Sequence, residues 1–180
     1  TPDLEWARDS KLILVTAHRR ENIGEPMKQM FRAIRKLVED NDDVKVIYPI
    51  HKNPEVRKIA YEVLGNMQRI RIVEPLDVVD FHNYMYKCYI VMTDSGGIQE
   101  EAPSLGKPVI VMRDTTERPE GVKAGTLKLV GTTFENIYKE TSELLNDERK
   151  YKEMSRRSNP YGDGFACKRI VEIIRRKMMS

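Results

Sequence analysis

Apolar residues in this chain fall into two alternating patterns: short continuous runs, and longer stretches in which they recur every three or four positions. The run KLILVTAH (Lys11–His18) predicts a buried strand opening into a loop. Over 24–40, Met27, Met30, Phe31, Ile34, Leu37 and Val38 share one helix face, with Pro26 suited to the first turn. VKVIYPI (44–50) is the second strand, ended near Pro49. A helix follows over 53–65, with Asn53 as cap, Pro54 at the first helical position and Gly65 as its stop. RIRIVEP (69–75), DVVDFHNYMYKC (77–88) and YIVMTD (89–94) read as strand, helix, strand. GGIQEEAPSLG (96–106) is a helix interrupted or ended near Pro103. KPVIVMR (107–113) and GTLKLVG (125–131) are the fifth and sixth strands. TFENIYKETSELLND (133–147) is a long helix, and two more helical segments finish the chain.

Strictly alternating strands and helices imply βαβ units and a parallel sheet. The strands are almost continuously apolar, as expected when helices cover both faces. The expected fold class is α/β, a doubly wound Rossmann-like parallel sheet. It forms a single domain over 1–180, with 147–180 as terminal helices and no internal repeat or linker. Such sheets bind ligands at the carboxyl ends of their strands. TAHRREN, PIHKNP, TDSGGIQEE and RDTTERPE each follow a strand, so the fold predicts that they meet on one rim.

Composition narrows the function classes. Charged residues make up 33% and hydrophobic ones 40% of 180 residues, a globular profile with a strongly charged surface. A net charge of +3, without a basic stripe interleaved with aromatics, argues against a nucleic-acid partner. The basic C-terminal stretches KRIVEIIRRK and RRKMMS read as a solvated helix face. No apolar run approaches the ~20 residues of a membrane span. Cys88 and Cys167 lie far apart, in no metal-ligand spacing, and read as buried free thiols of a reducing compartment.

Candidate chemistry sits in the loops. Asp94-Ser95-Gly96-Gly97 joins a strand to a helix, where glycines permit positive φ and close backbone approach. Free N–H groups and the helix dipole attract an anion there, and the serine adds a donor. Glu100 and Glu101 follow within about a turn, where a carboxylate can accept both hydroxyls of a ribose. His18, Arg19 and Arg20 follow the first strand; the arginines can clamp phosphate or pair with Glu21 and other surface acids. His51 reads as a loop residue or a ligand contact, and His82 as a structural helix residue. Arg113, Asp114, Glu117 and Arg118 read as an ion-paired surface loop. The G-x-S-x-G elbow of a serine hydrolase and metal-ligand histidine spacings are absent.

The segments LVTAHRREN, YPIHKNPEVR, TDSGGIQEEAPSLGKPVIVMRDTTERPE, AGTLKLVGT and NPYGDGFA resemble, in order over nearly the whole chain, the non-hydrolysing UDP-N-acetylglucosamine 2-epimerases. The resemblance implies a GT-B fold, of which this chain is the C-terminal half, catalytically silent without the N-terminal domain. It implies interconversion of UDP-GlcNAc and UDP-ManNAc by elimination and re-addition of UDP, with no metal or nicotinamide. It makes His18 the diphosphate-side catalytic histidine, Ser95, Gly96 and Gly97 the diphosphate cradle, and Glu101 the ribose ligand. Phe81 would meet uracil through its backbone, and Arg118 would lie near the diphosphate. Arg19 and His51 match contacts of an allosteric second UDP-GlcNAc. A cytoplasmic, full-length homodimer is the expected context. Alternatives are a GT-B glycosyltransferase, a hydrolysing relative or a non-catalytic UDP-sugar-binding domain.

Overall fold

A computed structural model describes residues 1–178. Six strands form one sheet: β1 (Lys11–Thr16), β2 (Val44–Pro49), β3 (Ile70–Val73), β4 (Ile90–Thr93), β5 (Val109–Val111) and β6 (Leu127–Leu129). Every pairing is parallel, in the order β3-β2-β1-β4-β5-β6. The expected Rossmann-like α/β class therefore holds.

Nine α-helices are described: α1 (Pro2–Trp6), α2 (Glu25–Asp40), α3 (Pro54–Leu64), α4 (Val78–Lys87), α5 (Gly96–Ser104), α6 (Pro119–Ala124), α7 (Phe134–Asn146), α8 (Glu148–Ser155) and α9 (Ala166–Met178). The pleat divides the core. Ile13 and Val15 of β1 pack with Phe31 and Ile34 of α2, Ile59 of α3 and Ile137 of α7. Leu12 and Leu14 face the opposite layer, with Tyr84 and Met85 of α4 and Ala102 of α5. Burying each such large side chain contributes roughly 1.5–3 kcal/mol.

The local signals explain most element ends. Asn53 caps α3, accepting the Glu55 N–H at 2.9 Å, and Asp77 caps α4, accepting the Asp80 N–H at 2.8 Å. Gly65 ends α3, but in right-handed geometry. α5 runs through Pro103 to Ser104. α1, α6 and a 3-10 turn over Arg20–Asn22 are additions to the predicted elements.

The two cysteines differ. Cys88 is buried, and desolvation pushes its thiol up to about 12. Cys167 is exposed on α9, so the expectation of two buried thiols fails there. It fails because no residue of α9 is buried: Ile170, Val171, Ile173 and Ile174 form an apolar stripe that this chain leaves uncovered. α8 is anchored instead, with Tyr151 stacked on Tyr89 at 3.8 Å between ring centroids. The basic C-terminal helix face is exposed as expected through Met178, and the last two positions of RRKMMS lie outside the described residues. Among the described residues, no helix is long and apolar enough to cross a membrane.

Candidate functional site

The strand order reverses between β1 and β4, so the chain leaves their carboxyl ends in opposite directions and opens a crevice. Thr16 and Thr93, the last residues of these strands, close its floor with a 2.6 Å bond between their hydroxyls. Asp94 follows, fully buried. Its Oδ2 accepts the backbone N–H groups of His18 at 2.9 Å and Arg19 at 2.8 Å, and the Asn22 amide at 3.4 Å. The Arg19 Nε donates to the Asp94 carbonyl at 3.1 Å. This one acid fixes the β1–α2 loop against the start of α5.

The start of α5 leaves donors unused. Ser95 occupies the cap position but makes no side-chain capping bond, which leaves its hydroxyl and the first helical N–H groups available. Neither Gly96 nor Gly97 has positive φ; both are helical, which corrects one reason for placing glycine there. Their value is the open space. A Cβ at Gly96 would come no nearer than 3.7 Å to Arg19 Nη2 and 4.0 Å to Arg118 Nη2, and at Gly97 no nearer than 3.7 Å to Glu101 Oε1. The protein itself tolerates a methyl group at both positions.

Two guanidinium groups thus flank Gly96. Arg19 bonds Glu117 at 3.2 Å, Arg113 bonds the same carboxylate at 2.6 Å, and Arg118 Nε donates to Glu100. Glu117 is drawn down to about 2, chiefly by the Arg113 hydrogen bond. The β5–α6 loop is ion-paired, as expected, and its Arg118 stands beside Gly96 at the start of α5. Glu100 and Glu101 are not in the first turn of α5; they occupy the second. Glu101 Oε2 meets His82 Nε2 at 3.0 Å, so His82, exposed on α4, is a structural partner of this carboxylate.

Beside the start of α5 lies a cavity of about 390 Å³, a size that suits a small organic ligand. His18, His51, Phe81 and Ser95 line it, together with Leu76 and Ile98. The rings of His18 and His51 stack at 5.2 Å with a 12° interplanar angle. His51 Nδ1 also accepts the Asn53 N–H at 3.1 Å. Arg19, Gly96, Gly97, Glu101 and Arg118 lie outside this lining, along the adjoining α5 rim.

Further contacts that hold these residues carry little mark in the sequence. Gln99, fully buried in α5, donates to the Ser95 carbonyl at 3.2 Å and accepts from Thr116 at 2.5 Å. Thr116 accepts the Arg118 N–H at 3.0 Å. The Tyr161 hydroxyl, in the α8–α9 connection, donates to the Arg118 carbonyl at 3.2 Å and accepts the Gly121 N–H at 2.9 Å. Asp94 alone carried a sequence signal, as an acid placed directly after an apolar strand. Among the described residues, no group of three His, Cys, Asp or Glu side chains is arranged to hold a metal.

A parallel sheet in this order, with donors and cations gathered at its switch point, defines a Rossmann-like domain of the kind that binds phosphate-bearing ligands. The sequence model of the UDP-N-acetylglucosamine 2-epimerase family matches residues 2–175. The chain belongs to that family, and has the fold of the C-terminal half of its GT-B architecture. It is 60% identical over 171 residues to the UDP-N-acetylglucosamine 2-epimerase of Bacillus subtilis, covering 95% of this chain and 45% of that protein. The structure of S. aureus MnaA with UDP superposes with a TM-score of 0.95 at 56% identity, over 99% of this chain and 49% of that one. The Neisseria meningitidis UDP-GlcNAc 2-epimerase bound to UDP-GlcNAc gives 0.90 at 44% identity, over 97% and 48%. The chain spans about half the length of the relatives it matches.

Proposed function

We propose that this chain is the nucleotide-holding half of a non-hydrolysing UDP-N-acetylglucosamine 2-epimerase. The reaction interconverts UDP-GlcNAc and UDP-ManNAc. The C2 proton is removed, its electron pair forms a C1–C2 double bond, and the C1–oxygen bond to UDP breaks. UDP then adds back to C1 as a proton returns to the other face of C2. The leaving diphosphate must be stabilised without escaping, which fixed donors in a closed site achieve.

The observation that carries this reading is the start of α5, where uncapped N–H groups and the Ser95 hydroxyl sit beside the Arg19 and Arg118 guanidinium groups. Ser95, Gly96 and Gly97 cradle the diphosphate, and Arg118 adds charge from the side. Glu101 accepts the ribose hydroxyls, and the Phe81 backbone meets the uracil. His18 acts on the diphosphate side. Arg19 and His51 contact a second, activating UDP-GlcNAc; His51 already stacks on His18, a direct route from that site to the catalytic ring. The groups that move the C2 proton belong to a partner N-terminal domain. The exposed stripe of α9 packs toward that domain, and the complete protein is a cytoplasmic homodimer. This chain alone turns nothing over.

Calorimetric titration with UDP tests the reading. Binding by this chain that weakens at least tenfold in Glu101→Ala is expected. The assignment fails if UDP binds neither this chain nor a protein in which the N-terminal half is restored. Epimerisation by the chain alone would overturn the half-enzyme description.

A further inference from the structure

Asp94 has two oxygens in different circumstances. Oδ2 accepts three donors, from His18, Arg19 and Asn22. Oδ1 is fully shielded from solvent and has no hydrogen-bond partner among the described residues. A buried carboxylate oxygen without a donor is costly and uncommon, and calls for a specific explanation. Nδ1 of His18 lies 3.8 Å from it, on a side chain that is 40% exposed while Asp94 is 0% exposed. That separation is just beyond a hydrogen bond, as the contacts of catalytic histidines often are before a ligand is bound.

We propose that Asp94 is a positioning residue that holds His18 in the Nδ1–H tautomer, with Oδ1 as the acceptor. Which imidazole nitrogen carries the proton is set by the hydrogen bond the other side of the ring makes. The same residue holds the backbone of His18 through Oδ2. One carboxylate therefore fixes where the histidine starts, which way its ring turns and which nitrogen is bare. The bare nitrogen is Nε2, across the ring from Asp94. The stacked ring of His51 limits the remaining freedom of the His18 plane. When Nε2 takes a proton, the imidazolium has its counter-charge in place behind it and an N–H to give to an anionic oxygen. That last consequence rests on the nucleotide-binding reading above; the tautomer does not.

Substitution by asparagine makes the proposal sharp. Two backbone N–H groups point at the Oδ2 position from 2.9 and 2.8 Å, so an acceptor must stay there. Asp94→Asn must then turn its NH2 toward His18. A donor facing Nδ1 forces the opposite tautomer, with the proton on Nε2.

The experiment is nitrogen-15 NMR of the imidazole of His18 in this chain, at a pH of about 9, well above the ordinary histidine range. Protonated and bare ring nitrogens resonate far apart. In the unsubstituted protein, a protonated Nδ1 and a bare Nε2 are expected. A protonated Nε2, or an averaged mixture, overturns the proposal, and this measurement does not depend on any variant folding. In Asp94→Asn the pattern is expected to invert; retention of the Nδ1–H form in a folded variant also overturns it. Adding UDP separates the two readings. If Nδ1 is protonated but UDP leaves the Nε2 resonance unmoved at saturation, Asp94 holds the ring as proposed and the diphosphate role of His18 is wrong.

Discussion

The Nε2 of His82 on α4 lies 3.0 Å from Oε2 of Glu101 on α5, so the helices that precede and follow β4 in the chain meet at the carboxylate assigned to the ribose. A carboxylate held by a neighbour presents its other oxygen in a fixed direction. Glu101→Ala removes a charged acceptor, a loss of about 1.5–3 kcal/mol; UDP affinity is expected to fall roughly ten- to a hundredfold. His82→Ala leaves the acceptor but frees it, and a loss of about two- to tenfold is expected from a single hydrogen bond. Calorimetry with UDP and with 2′,3′-dideoxy-UDP checks the assignment, because the dideoxy ligand should be insensitive to both substitutions.

Tyr161 reaches the same site from the opposite side. Its hydroxyl is the only bridge described between the α8–α9 connection and the Arg118 carbonyl, and it also takes the Gly121 N–H. With Arg118 in the phosphate role proposed for it, Tyr161→Phe is expected to lower UDP affinity about three- to tenfold while leaving uridine binding unchanged. In an Arg118→Ala background the same substitution should have no further effect. Equal losses in both backgrounds would point to general loosening instead.

The glycines divide by what surrounds them. Gly96→Ala and Gly97→Ala meet only ordinary contacts and place a better helix former in α5. Their melting temperatures should hold or rise while UDP binding is lost, since the added methyl occupies the ligand's space. Gly121→Ala should instead lower the melting temperature, with UDP affinity falling no more than the roughly three- to tenfold expected from losing the Tyr161 hydroxyl contacts. Its Cβ would press on Leu127 and lie 2.5 Å from the Tyr161 hydroxyl, an overpacking that costs about 1–3 kcal/mol. Thermal melts beside UDP titrations separate the two classes.

Glu117 sets an acid limit on the arginine cluster. Its folded value of about 2 lies below its ordinary 4.5, so it favours the folded state above that ordinary value. The contribution declines as pH falls from about 4.5 toward about 2. Glu117→Gln should flatten the acid limb of the stability curve over that window. Because the carboxylate is exposed, raising salt to about 1 M should shrink the difference. An unchanged acid limb would show that the arginines find other partners.

Much of the fold was legible because periodicity is a local property. The six apolar runs and helical stretches such as the three-four spacing of α2 named the major elements in order. α1 and α6 escaped because five and six residues are too few to show a period. For α6 the punctuation was present, Pro119 at its start and Gly125 in the left-handed conformation at its end, without an apolar face to connect them. The partner of His82 was not legible for a related reason. A helical histidine carries no sequence mark of which face it occupies, and only the packing of α4 beside α5 sets it against Glu101.

By itself, the sequence determined the alternation of strand and helix, and with it the rim on which polar loops had to gather. It also determined the chemistry of those loops, since Ser-Gly-Gly at a helix start and a carboxylate one turn on are adjacent in the chain. The tertiary structure alone decided the long-range pairings: Asp94 with a loop more than seventy residues earlier, Gln99 with Thr116, and Tyr161 with Arg118. The physical reason is that burial creates those needs. A carboxylate or amide seeks specific partners only once water is excluded, and which partners are within reach is set by the order of strands in the sheet, not by the order of residues in the chain.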